Sequence, residues 1–580
     1  MKKLIAFAGF AAYMLAACDV TVDNAGESAE ADMPAVGTSP YTNCNFDSVP
    51  SEDAYDTVIL NGRVMDPECD FDGMRNVGIK DGRIALITEG EISGADSIDA
   101  SGHVVAPGFI NTHNHAFAHF DQKLLAYDGI TTALDTEGGG ADVALFYDRY
   151  ENDAVINFGI GVGHEPIRRV VMDDVDVAIS SDPSEMLLSR GAAQEDGHGS
   201  WALDIPTDEQ YEQIYTMFEQ GMRDGAVAVS STVGYMGYGV PPDEIFTLQK
   251  IAKKYDRFYG SHTRFGPTES LPRHYSLGTR EAIANAVALD GALILSHIQN
   301  QGWPEIYELS RRLQAQGMIV FAEYYPHIFG SPNIATPQLL PDKIKENNVY
   351  PPSEYIVDIR TGEFFPDDET FFGSQEESPE MMVFIKVRPE VWWNQWAHMT
   401  EIAVASDAIN YLDAEGKPLP IDAPLSEYGG HPRNIATSSW LLRQAREQNI
   451  PLMGVINNLA YVPAKYYTML GGLKALDERG RLQQGMIADI TIFDPATVRE
   501  TAEMKAGKFG SAPAGMPYVM VNGQLVIDNG AANTDIRPGQ PIRYPVITEG
   551  EIVLDYNDKQ FQWHADLSDE EVEALTEPQN

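Results

Sequence analysis

The sequence predicts an α/β protein, namely a (β/α)8 barrel of the TIM type with a small β-sandwich built from both ends of the chain. Two observations lead to this fold class. Between residues 107 and 480, eight short apolar runs alternate with amphipathic, helix-like stretches. On either side, residues 54–106 and 481–545 hold strand-like runs separated by turn dipeptides. Because the two flanking segments have the same character, we expect them to form one composite β-sandwich beside the barrel.

The eight predicted barrel strands are short apolar runs, each bounded by polar or turn-forming residues. They are Gly108–Asn111, Thr131–Leu134, Ile156–Val162, Ala226–Ser230, Phe258–Ser261, Ala292–Leu295, Met318–Ala322 and Ile402–Ala405. One of the intervening helices follows Thr207, and Gln210 three residues later predicts a capping box. A stretch at about 332–389, rich in Pro, Phe and acidic residues, does not fit the repeat. It predicts an insertion before the last strand, either a lid or a small subdomain.

Turn dipeptides divide the two flanking segments into strands. Asn61-Gly62, Asp81-Gly82 and Asn522-Gly523 are of the type that closes two-residue β-hairpins, because both residues tolerate a left-handed backbone. We therefore expect a hairpin at each dipeptide. Outside these segments, residues 19–53 predict a flexible linker and residues 546–580 an acidic C-terminal tail.

The composition excludes one class of partner. The chain of 580 residues has 40 basic and 86 acidic side chains, which gives a net charge of −46. Nucleic-acid binding requires Lys and Arg opposite the phosphates, so no nucleic-acid partner is expected. An acidic surface of this strength is typical of a protein kept soluble in a salty or crowded medium.

The N-terminus has the features of an export signal. Lys2 and Lys3 precede an apolar run from Leu4 to Ala17, which is too short to span a bilayer as a mature helix. The small residues before Cys18 resemble the lipobox of bacterial lipoproteins, in which the cysteine becomes the lipidated first residue. We predict a signal peptide over residues 1–18, lipidation of Cys18 and a lipid-anchored position in the bacterial cell envelope, on the periplasmic side. Membrane contact is expected only through this anchor, and a plain secretory signal is the alternative.

Two further cysteines, Cys44 and Cys69, lie in and just after the predicted linker. Neither has a second metal-ligating side chain at short spacing. In an oxidising compartment they can form a disulfide that ties the N-terminal arm down. Two free thiols are the other interpretation, and the sequence leaves both open.

Metal-binding side chains stand at the ends of four predicted strands. His113 and His115 follow the first strand two residues apart, so an extended backbone points both rings to the same face. His262 and His297 come directly after the fifth and sixth strands, and Asp407 comes after the eighth. Chemistry in TIM barrels takes place at the C-terminal ends of the strands, where these residues would meet. The pattern predicts a site for a divalent cation.

These residues resemble the metal-binding pattern of the amidohydrolase superfamily, and local motifs resemble the N-acyl-D-amino-acid deacylases, or D-aminoacylases. The resemblance covers nearly all of residues 55–530. It implies hydrolysis of a C–N bond with Zn²⁺ as cofactor, as one or two divalent cations, and Asp407 as the group that accepts and returns the proton. The motifs are Val105-Ala106-Pro107-Gly108-Phe109-Ile110, Gly129-Ile130-Thr131-Thr132, Val162-Gly163-His164, Tyr325-Pro326, Gly430-His431-Pro432-Arg433 and Gly485-Met486-Ile487-Ala488-Asp489.

One metal ligand of that family is absent here. The family places a cysteine at the end of the second strand, and Gly138 falls at or next to this position. Glu137 is the nearest side chain able to bind a metal. A carboxylate can complete one site or bridge two cations, and it is a harder ligand than a thiolate. We expect Glu137 to replace the cysteine; the alternative is that it caps a loop or binds substrate.

The resemblance also implies which residues hold the substrate. Arg433 matches an arginine that grips the substrate carboxylate, and Tyr325 and Ser331 match a tyrosine and a serine that touch the same group or its neighbours. Tyr235 matches a tyrosine near the polarised carbonyl. Gln299 stands where family members often carry a lysine, so one positive contact is lost. The predicted partner is a small molecule with a free carboxylate.

The predicted function is deacylation of N-acyl-D-amino acids. A dipeptidase or a cyclic-amide hydrolase of the same superfamily is the first alternative, because the loss of the lysine at position 299 weakens the match to a simple N-acyl-D-amino acid. The second alternative belongs to another class, a surface-tethered binding lipoprotein with an inactive barrel. Since the expected ligand positions other than the cysteine are filled, the sequence favours an enzyme.

Overall fold

The computed structural model describes residues 39–50, 54–185, 199–237, 239–265, 276–336, 339–341, 344–345, 350–379, 381–411 and 417–554. The predicted signal peptide with Cys18, most of the predicted linker and the last part of the predicted tail lie outside these residues. Within them, no helix combines the length and the apolar character that a membrane span requires.

The N-terminal part of the chain forms five strands of a β domain. They are β1 (Tyr55–Asp66), β2 (Phe71–Lys80), β3 (Arg83–Thr88), β4 (Gly94–Asp99) and β5 (Val104–Pro107). The predicted turn at Asp81-Gly82 is confirmed, since β2 and β3 pair antiparallel up to Lys80 and Arg83 on either side of it.

The hairpin predicted at Asn61-Gly62 is wrong. Asn61 has the expected left-handed backbone, with φ of 59°, but the chain does not reverse there. The dipeptide instead lies within β1 at a register shift against β2, and β1 pairs with β4 before it and with β5 after it. A Cβ on Gly62 would lie 2.4 Å from Cγ2 of Val105, so only glycine allows β5 to approach this closely.

Seven parallel strands of the barrel follow. They are β6 (Phe109–Asn111), β7 (Ile130–Gly140), β8 (Asn157–Gly163), β9 (Ala228–Ser231), β10 (Phe258–Ser261), β11 (Ala292–Leu295) and β12 (Val320–Tyr324). They pair in chain order, and nearly all of their residues are buried, as expected for a parallel sheet covered on both faces.

Helices connect the barrel strands. They span His119–Tyr127, Val143–Tyr150, His164–Asp173, Val177–Ser180, Ser200–Leu203, Asp208–Arg223, Pro242–Lys254, Leu277–Leu289 and Trp303–Ala315, with a 3-10 turn at Val233–Tyr235. The predicted capping box is confirmed. Thr207 Oγ1 accepts from the backbone N–H of Gln210 at 3.3 Å, and Gln210 Oε1 accepts from the backbone N–H of Thr207 at 2.9 Å.

An insertion separates the seventh barrel strand from the eighth. It contains β13 (Phe329–Gly330), β14 (Ile356–Asp358), β15 (Glu363–Phe364) and β16 (Val383–Lys386), and helices Pro352–Tyr355, Asp368–Glu377 and Glu390–Trp396. The strands form an antiparallel sheet in the order β13-β16-β14-β15. Phe371 and Ile385 belong to a hydrophobic cluster made only of residues from this region, so the insertion has its own small core.

The eighth barrel strand, β17 (Ala403–Val404), pairs with β12 and completes a nearly closed eight-stranded barrel, which confirms the predicted fold class. Contacts just beyond the strands join β17 to β6 at the seam. Asn111 Nδ2 donates to Ser406 Oγ at 2.6 Å, and the backbone N–H of Asp407 donates to the carbonyl of His113 at 2.9 Å. The first and last metal-binding segments of the sequence are thus joined by hydrogen bonds.

Helices after β17 lead back to the β domain. They span Ser438–Gln448, Leu452–Ile456, Val462–Leu470 and Lys474–Asp477, with a π-helical turn at Asn457–Tyr461 and 3-10 turns at Leu425–Glu427 and Pro432–Asn434. The last strands are β18 (Ile490–Phe493), β19 (Tyr518–Val521), β20 (Gln524–Asp528) and β21 (Ala531–Ala532). The turn predicted at Asn522-Gly523 joins β19 to β20 and is confirmed.

The two ends of the chain share one β domain, as predicted. β18 pairs antiparallel with β5, and this pairing makes a single nine-stranded sheet of β21-β20-β19-β18-β5-β1-β2-β3 with β4 attached to β1. Its core combines N-terminal residues such as Ile59 and Ile87 with C-terminal residues such as Ile490 and Met520. The domain therefore cannot form from either end alone.

Cys44 and Cys69 form a disulfide, with 5.7 Å between their Cα atoms, so the pairing that the sequence left open is the one the structure adopts. The arm around Cys44 is held further by two hydrogen bonds to the C-terminal half. Gln483 Oε1 accepts from the backbone N–H of Asn43 at 2.8 Å, and Ser48 Oγ donates to Gln484 at 2.7 Å.

Candidate metal centre

Six side chains with metal-binding atoms converge at the C-terminal ends of the barrel strands. They fall into two triads, and within each triad the ligand atoms all lie within 4.8 Å of one another. The first triad is His113, His115 and Asp407, and the second is Glu137, His262 and His297. Five of the six lie within four residues after the end of a barrel strand, and Glu137 lies near the end of β7.

The first triad joins the ends of β6 and β17. Nε2 of His113 and Nε2 of His115 lie 3.1 Å apart, and Asp407 Oδ1 lies 3.5 Å from the former and 3.6 Å from the latter. Both rings are buried. Three ligand atoms of this kind around one point can hold a divalent cation.

The second triad joins the ends of β7, β10 and β11. His297 Nε2 lies 2.7 Å from Glu137 Oε1 and 2.9 Å from His262 Nδ1. His262 Nδ1 in turn lies 3.4 Å from the same carboxylate oxygen. Two imidazoles and a carboxylate are a common ligand set for zinc.

Glu137 belongs to both triads. Its Oε1 faces His262 and His297, whereas its Oε2 lies 3.1 Å from His113 Nε2 and 3.5 Å from His115 Nε2. One carboxylate therefore spans the space between the two sites, which is the arrangement needed to bridge two cations.

The neighbouring Gly138 leaves no room for a ligand of its own. A Cβ there would lie 3.0 Å from Asp135 Oδ2 and 3.0 Å from His115 Nδ1. The backbone N–H groups of Glu137 and Gly138 both donate to Asp135 Oδ1, at 3.0 and 2.7 Å. These bonds fix the loop so that Glu137 is the residue turned toward the histidines.

Carboxylates behind the first triad fix the orientation of its rings. His113 Nδ1 lies 2.6 Å from Glu323 Oε1, and Thr112 Oγ1 donates to the other oxygen of Glu323 at 2.5 Å. His115 Nδ1 lies 2.8 Å from Asp135 Oδ2. With Nδ1 bonded in this way, each ring presents Nε2 to the centre, as in the carboxylate–histidine–zinc arrangement.

The carboxylates also control protonation of the first triad. Burial disfavours a charged ring at His113, but Glu137, Glu323 and Asp407 outweigh this effect and raise the pKa of His113 well above its usual value. At His115, burial is likewise outweighed, chiefly by Asp135, and the pKa of His115 rises to about 9. The carboxylates thus favour a proton on each ring when no metal competes for it.

The acidic members of the centre stay ionised. Burial alone would favour the neutral acid at Glu137, but His113 and His297 lower the pKa of Glu137 well below its usual value. Burial also favours the neutral acid at Asp407, but Arg433 and the two histidines of its triad outweigh burial and lower the pKa of Asp407. The centre thus presents anionic oxygen and imidazole nitrogen atoms together.

This set of donors fits zinc. Imidazole and carboxylate ligands match the preferences of Zn²⁺, and protons on His113 and His115 mark the positions where a cation would replace them. The backbone is also shaped for the purpose at two ligands, since His297 has φ of 32° and Asp407 has φ of 51°. Non-glycine residues rarely adopt this region, and such residues cluster at functional sites.

Arg433 lies beside the first triad. Its Nη1 donates to Asp407 Oδ2 at 3.0 Å, and its guanidinium carbon lies 5.2 Å from the centre of the Tyr325 ring. That ring is in turn 6.4 Å from the ring of His297. Both Arg433 and Tyr325 are buried. A cationic group and a phenol thus stand at the edge of the metal-binding cluster.

No protein-family model matches the chain. Three curated proteins are similar over most of its length. The N-acyl-D-aspartate deacylase of Alcaligenes xylosoxydans xylosoxydans is 24% identical over 517 residues, covering 80% of this chain and 90% of that protein. The N-acyl-D-glutamate deacylase of the same organism is 25% identical over 541 residues, covering 85% and 97%. A dihydroorotase of Streptococcus pneumoniae is 24% identical over 498 residues, covering 81% and 99%.

Two solved structures share the fold. The N-acyl-D-glutamate deacylase of Bordetella bronchiseptica, complexed with zinc and a phosphonate inhibitor, has a TM-score of 0.63 at 22% identity and covers 85% of this chain and 100% of its own. A D-aminoacylase has a TM-score of 0.64 at 19% identity, with coverage of 84% and 100%. The resemblance to the D-aminoacylases of the amidohydrolase superfamily is confirmed.

The other residues predicted to bind substrate do not all lie against the metal ligands. Tyr235, on the 3-10 turn after β9, has its ring 4.6 Å from the ring of His262, which places it at the second triad. Gln299 is fully buried two residues after His297, and among the described residues neither of its amide atoms has a hydrogen-bond partner. Ser331 follows β13 in the insertion and is half-buried, and no contact within the described part of the chain ties it to the triads.

The sequence did not reveal several residues at the metal centre. Asp135, inside β7, and Glu323, near the end of β12, orient the ligand histidines, but each is a single carboxylate without a spacing that marks it in the sequence. Arg388 comes from the irregular insertion, and its Nη2 donates to Tyr325 Oη at 2.8 Å. No motif signalled Arg388, because its position depends on how the insertion folds.

Replacing the shared carboxylate tests its role in metal binding. In Glu137→Gln the neutral amide is a poor ligand at both triads, so we expect metal content to fall and affinity to drop by more than about 100-fold, the upper range for loss of an outer partner. Metal content after dialysis against a fixed zinc concentration measures this.

The matched control for this variant is Glu281→Gln, which removes a partly exposed carboxylate paired with Arg264. It should retain full metal content. If the Glu137 and Glu281 variants bound the same amount of zinc with the same affinity, the assignment of Glu137 as a metal ligand would be contradicted.

The raised pKa of His115 predicts how metal affinity depends on pH. A cation needs the neutral ring, and in the metal-free protein this ring holds its proton up to about pH 9. Below that pH binding displaces the proton, so affinity should rise with pH by roughly tenfold per unit for each proton displaced, and the rise should level off in part above about pH 9, where His115 is neutral. Competition with a chelating dye from pH 6.5 to 9.5 measures the slope.

Asp135→Asn provides the comparison for the pH experiment. It removes the main charge that raises the pKa of His115, so the levelling-off should move to lower pH. An affinity that does not change with pH in the unsubstituted protein would show that the ring is already neutral.

Proposed function

We propose that this protein is a metal-dependent amidohydrolase that removes the acyl group from N-acyl-D-amino acids. The observation that carries the proposal is the pair of triads sharing Glu137 at the C-terminal ends of the barrel strands, with Arg433 bonded to Asp407 beside them. The names and coverage of the similar deacylases support this substrate class.

A divalent cation bound by these residues would lower the pKa of a water molecule and polarise the amide carbonyl. Asp407 handles the proton. Its lowered pKa keeps it ionised, so it can accept a proton from the attacking water and then return it to the leaving amine nitrogen. Arg433 holds one oxygen of this carboxylate, which leaves the other directed toward the histidines.

Substrate is held on the side of Arg433. A guanidinium matches a carboxylate through two parallel hydrogen bonds, and the Tyr325 ring next to it provides a flat wall and a hydroxyl group. Tyr235, which lies against His262 of the second triad, would contact the polarised carbonyl. The amide thus lies across the metal centre with its carboxylate toward Arg433.

A cyclic-amide hydrolase is the second candidate. The alignment with the similar dihydroorotase covers 99% of that enzyme, so it extends over the whole enzyme and not only over the metal-binding motifs. A cyclic amide would use the same two triads and the same aspartate. The two candidates differ in whether the scissile bond lies inside a ring.

The test is a panel of substrates with zinc-loaded protein and the Asp407→Asn variant. We expect hydrolysis of N-acetyl-D-amino acids above that of their L-forms, and a fall in kcat of about 10²–10⁴-fold in the variant, the usual contribution of a general base. Turnover of dihydroorotate but of no N-acyl-D-amino acid would select the cyclic-amide candidate, and full activity of the variant would contradict the role of Asp407.

Asp290→Asn is the matched control. Asp290 also has a left-handed backbone, with φ of 50°, and it caps a helix before β11, where its exposed carboxylate lies 3.5 Å from Lys253 Nζ. Asparagine tolerates this backbone as aspartate does, so neither substitution adds strain. The control separates loss of the carboxylate at the metal centre from a general effect of replacing aspartate in this conformation.

We further propose that the protein is exported and anchored to the cell envelope by lipid at Cys18. The basic, apolar and small-residue order of the first 18 residues supports this, and the Cys44–Cys69 disulfide suits an oxidising compartment. In Cys18→Ala, incorporation of labelled palmitate and recovery in the membrane fraction should be lost. The Cys44→Ser/Cys69→Ser double variant should keep both, and a Cys18→Ala protein that stays lipid-labelled would exclude the anchor.

A further inference from the structure

A second buried guanidinium stands near the metal centre and has no assigned role. Arg388 follows β16 of the insertion and is 5% exposed. Its Nη2 donates to Tyr325 Oη at 2.8 Å, and its guanidinium carbon lies 4.7 Å from the centre of the Tyr325 ring. The insertion thus places a cation against Tyr325, a residue that follows β12 of the barrel and lies beside the metal centre.

The partners of Arg388 are all neutral. Its Nε donates to Asn300 Oδ1 at 3.0 Å, and its Nη1 donates to the carbonyl groups of His327 and Phe329 at 3.2 and 3.4 Å. Among the residues that the structure describes, no carboxylate lies within ion-pair distance of it. Its hydrogen bonds fix the position of the group but leave its charge uncompensated, and a buried charge is costly unless an opposite charge meets it.

Arg388 and Arg433 lie around the same aromatic ring. Their guanidinium carbons are 4.7 and 5.2 Å from the centre of Tyr325. His327 between them adds no charge, because burial and then the two guanidinium groups lower the pKa of His327 to about 3. Arg433 donates to Asp407 through Nη1, but its buried Nε has no partner among the described residues, so both arginines retain capacity to bind a carboxylate.

A protein of net charge −46 thus keeps two buried guanidinium groups around Tyr325, beside its metal centre. The surface repels anions at long range, whereas two buried guanidinium groups attract them at short range. A ligand with a single carboxylate satisfies one of the two arginines. A ligand with two carboxylates satisfies both.

We propose that Arg388 is a specificity-determining residue that binds a second carboxylate, so that the preferred substrates are N-acyl derivatives of acidic amino acids. This inference rests on the proposed deacylase function. Arg433 holds the α-carboxylate and Arg388 the side-chain carboxylate. Gln299, buried and neutral near Asn300, supplies no competing charge. The insertion, and not the barrel, would then set the choice of side chain.

A purely structural role makes a different prediction. If Arg388 only positions Tyr325, its loss would harm every substrate to the same extent. If it binds a carboxylate, its loss would harm acidic substrates selectively and mainly through KM. N-acetyl-D-glutamate and N-acetyl-D-glutamine have the same shape and differ in this one charge, so the pair separates the two roles.

The experiment compares kcat and KM for these two substrates in the zinc-loaded protein, in Arg388→Met and in Arg388→Lys. We expect the unsubstituted protein to prefer N-acetyl-D-glutamate. Arg388→Met should lose about 30-fold or more in kcat/KM for glutamate, chiefly in KM, and less than about 3-fold for glutamine. Arg388→Lys, which keeps the charge, should recover part of the preference.

Arg360→Met is the matched control, since Arg360 is a half-exposed arginine of the same insertion, paired with Asp358. It should leave both substrates unaffected. Equal losses on glutamate and glutamine in Arg388→Met, or no preference in the unsubstituted protein, would overturn the inference while leaving the deacylase function intact.

A binding measurement covers the case in which no N-acyl-D-amino acid is hydrolysed. Thermal stabilisation of the zinc-loaded protein by glutarate, a dianion, is compared with that by butyrate in the unsubstituted protein and in Arg388→Met. Glutarate should raise the Tm of the unsubstituted protein more than butyrate does, and Arg388→Met should remove this difference. Stabilisation by glutarate without turnover would refute the deacylase function alone, and equal effects of the two acids would refute the role of Arg388.

Discussion

The carboxylate of Glu137 is the constraint on which the rest of the centre depends. It is buried between four imidazoles and makes contact with a ring of each triad through a different oxygen. An isolated carboxylate could not stay ionised at such a depth, because burial favours the neutral acid. The histidines stabilise the charge of the Glu137 carboxylate, and this carboxylate in turn connects the two triads into one centre. Removing the histidines would leave a buried carboxylate whose charge is uncompensated.

The surrounding barrel keeps these charges in place through three layers of contact. Strand ends bring the ligands together, Glu323 and Asp135 orient the rings of the first triad, and backbone hydrogen bonds fix the loop that carries Glu137. The left-handed backbone at His297 and Asp407 is tolerated because these surroundings over-determine it. Precision at the centre is therefore a property of the packed strand ends and not of the ligand side chains alone.

Much of this architecture is visible in the sequence, for physical reasons. Parallel barrel strands are buried on both faces, so they appear as short apolar runs, and a polar side chain directly after such a run stands out. That contrast located the histidines, Asp407 and, through the missing cysteine, Glu137. Outer partners such as Glu323 are harder to find, because a single carboxylate at a strand end has no spacing that distinguishes it from a surface charge.

Two features depended on tertiary structure that local sequence does not encode. The Asn61-Gly62 dipeptide specifies a left-handed residue followed by a flexible one, and this suits a bulge in a long strand as well as a reversal between two strands. The position of Arg388 results from an insertion whose strands are two to four residues long and whose fold depends on its own small core. The pattern of polar and apolar residues there carries too little periodicity to place one side chain.

The seam of the barrel has a consequence for how the centre is assembled. Asn111 and Ser406, which join the first strand to the last, are 295 residues apart in sequence. A chain still being synthesised can bring Glu137, His262 and His297 together before Asp407 has been made, but it cannot close the barrel. Partial products of translation or proteolysis can thus capture a cation at three ligands while lacking the proton acceptor, so hydrolytic competence arrives only with the closing strand.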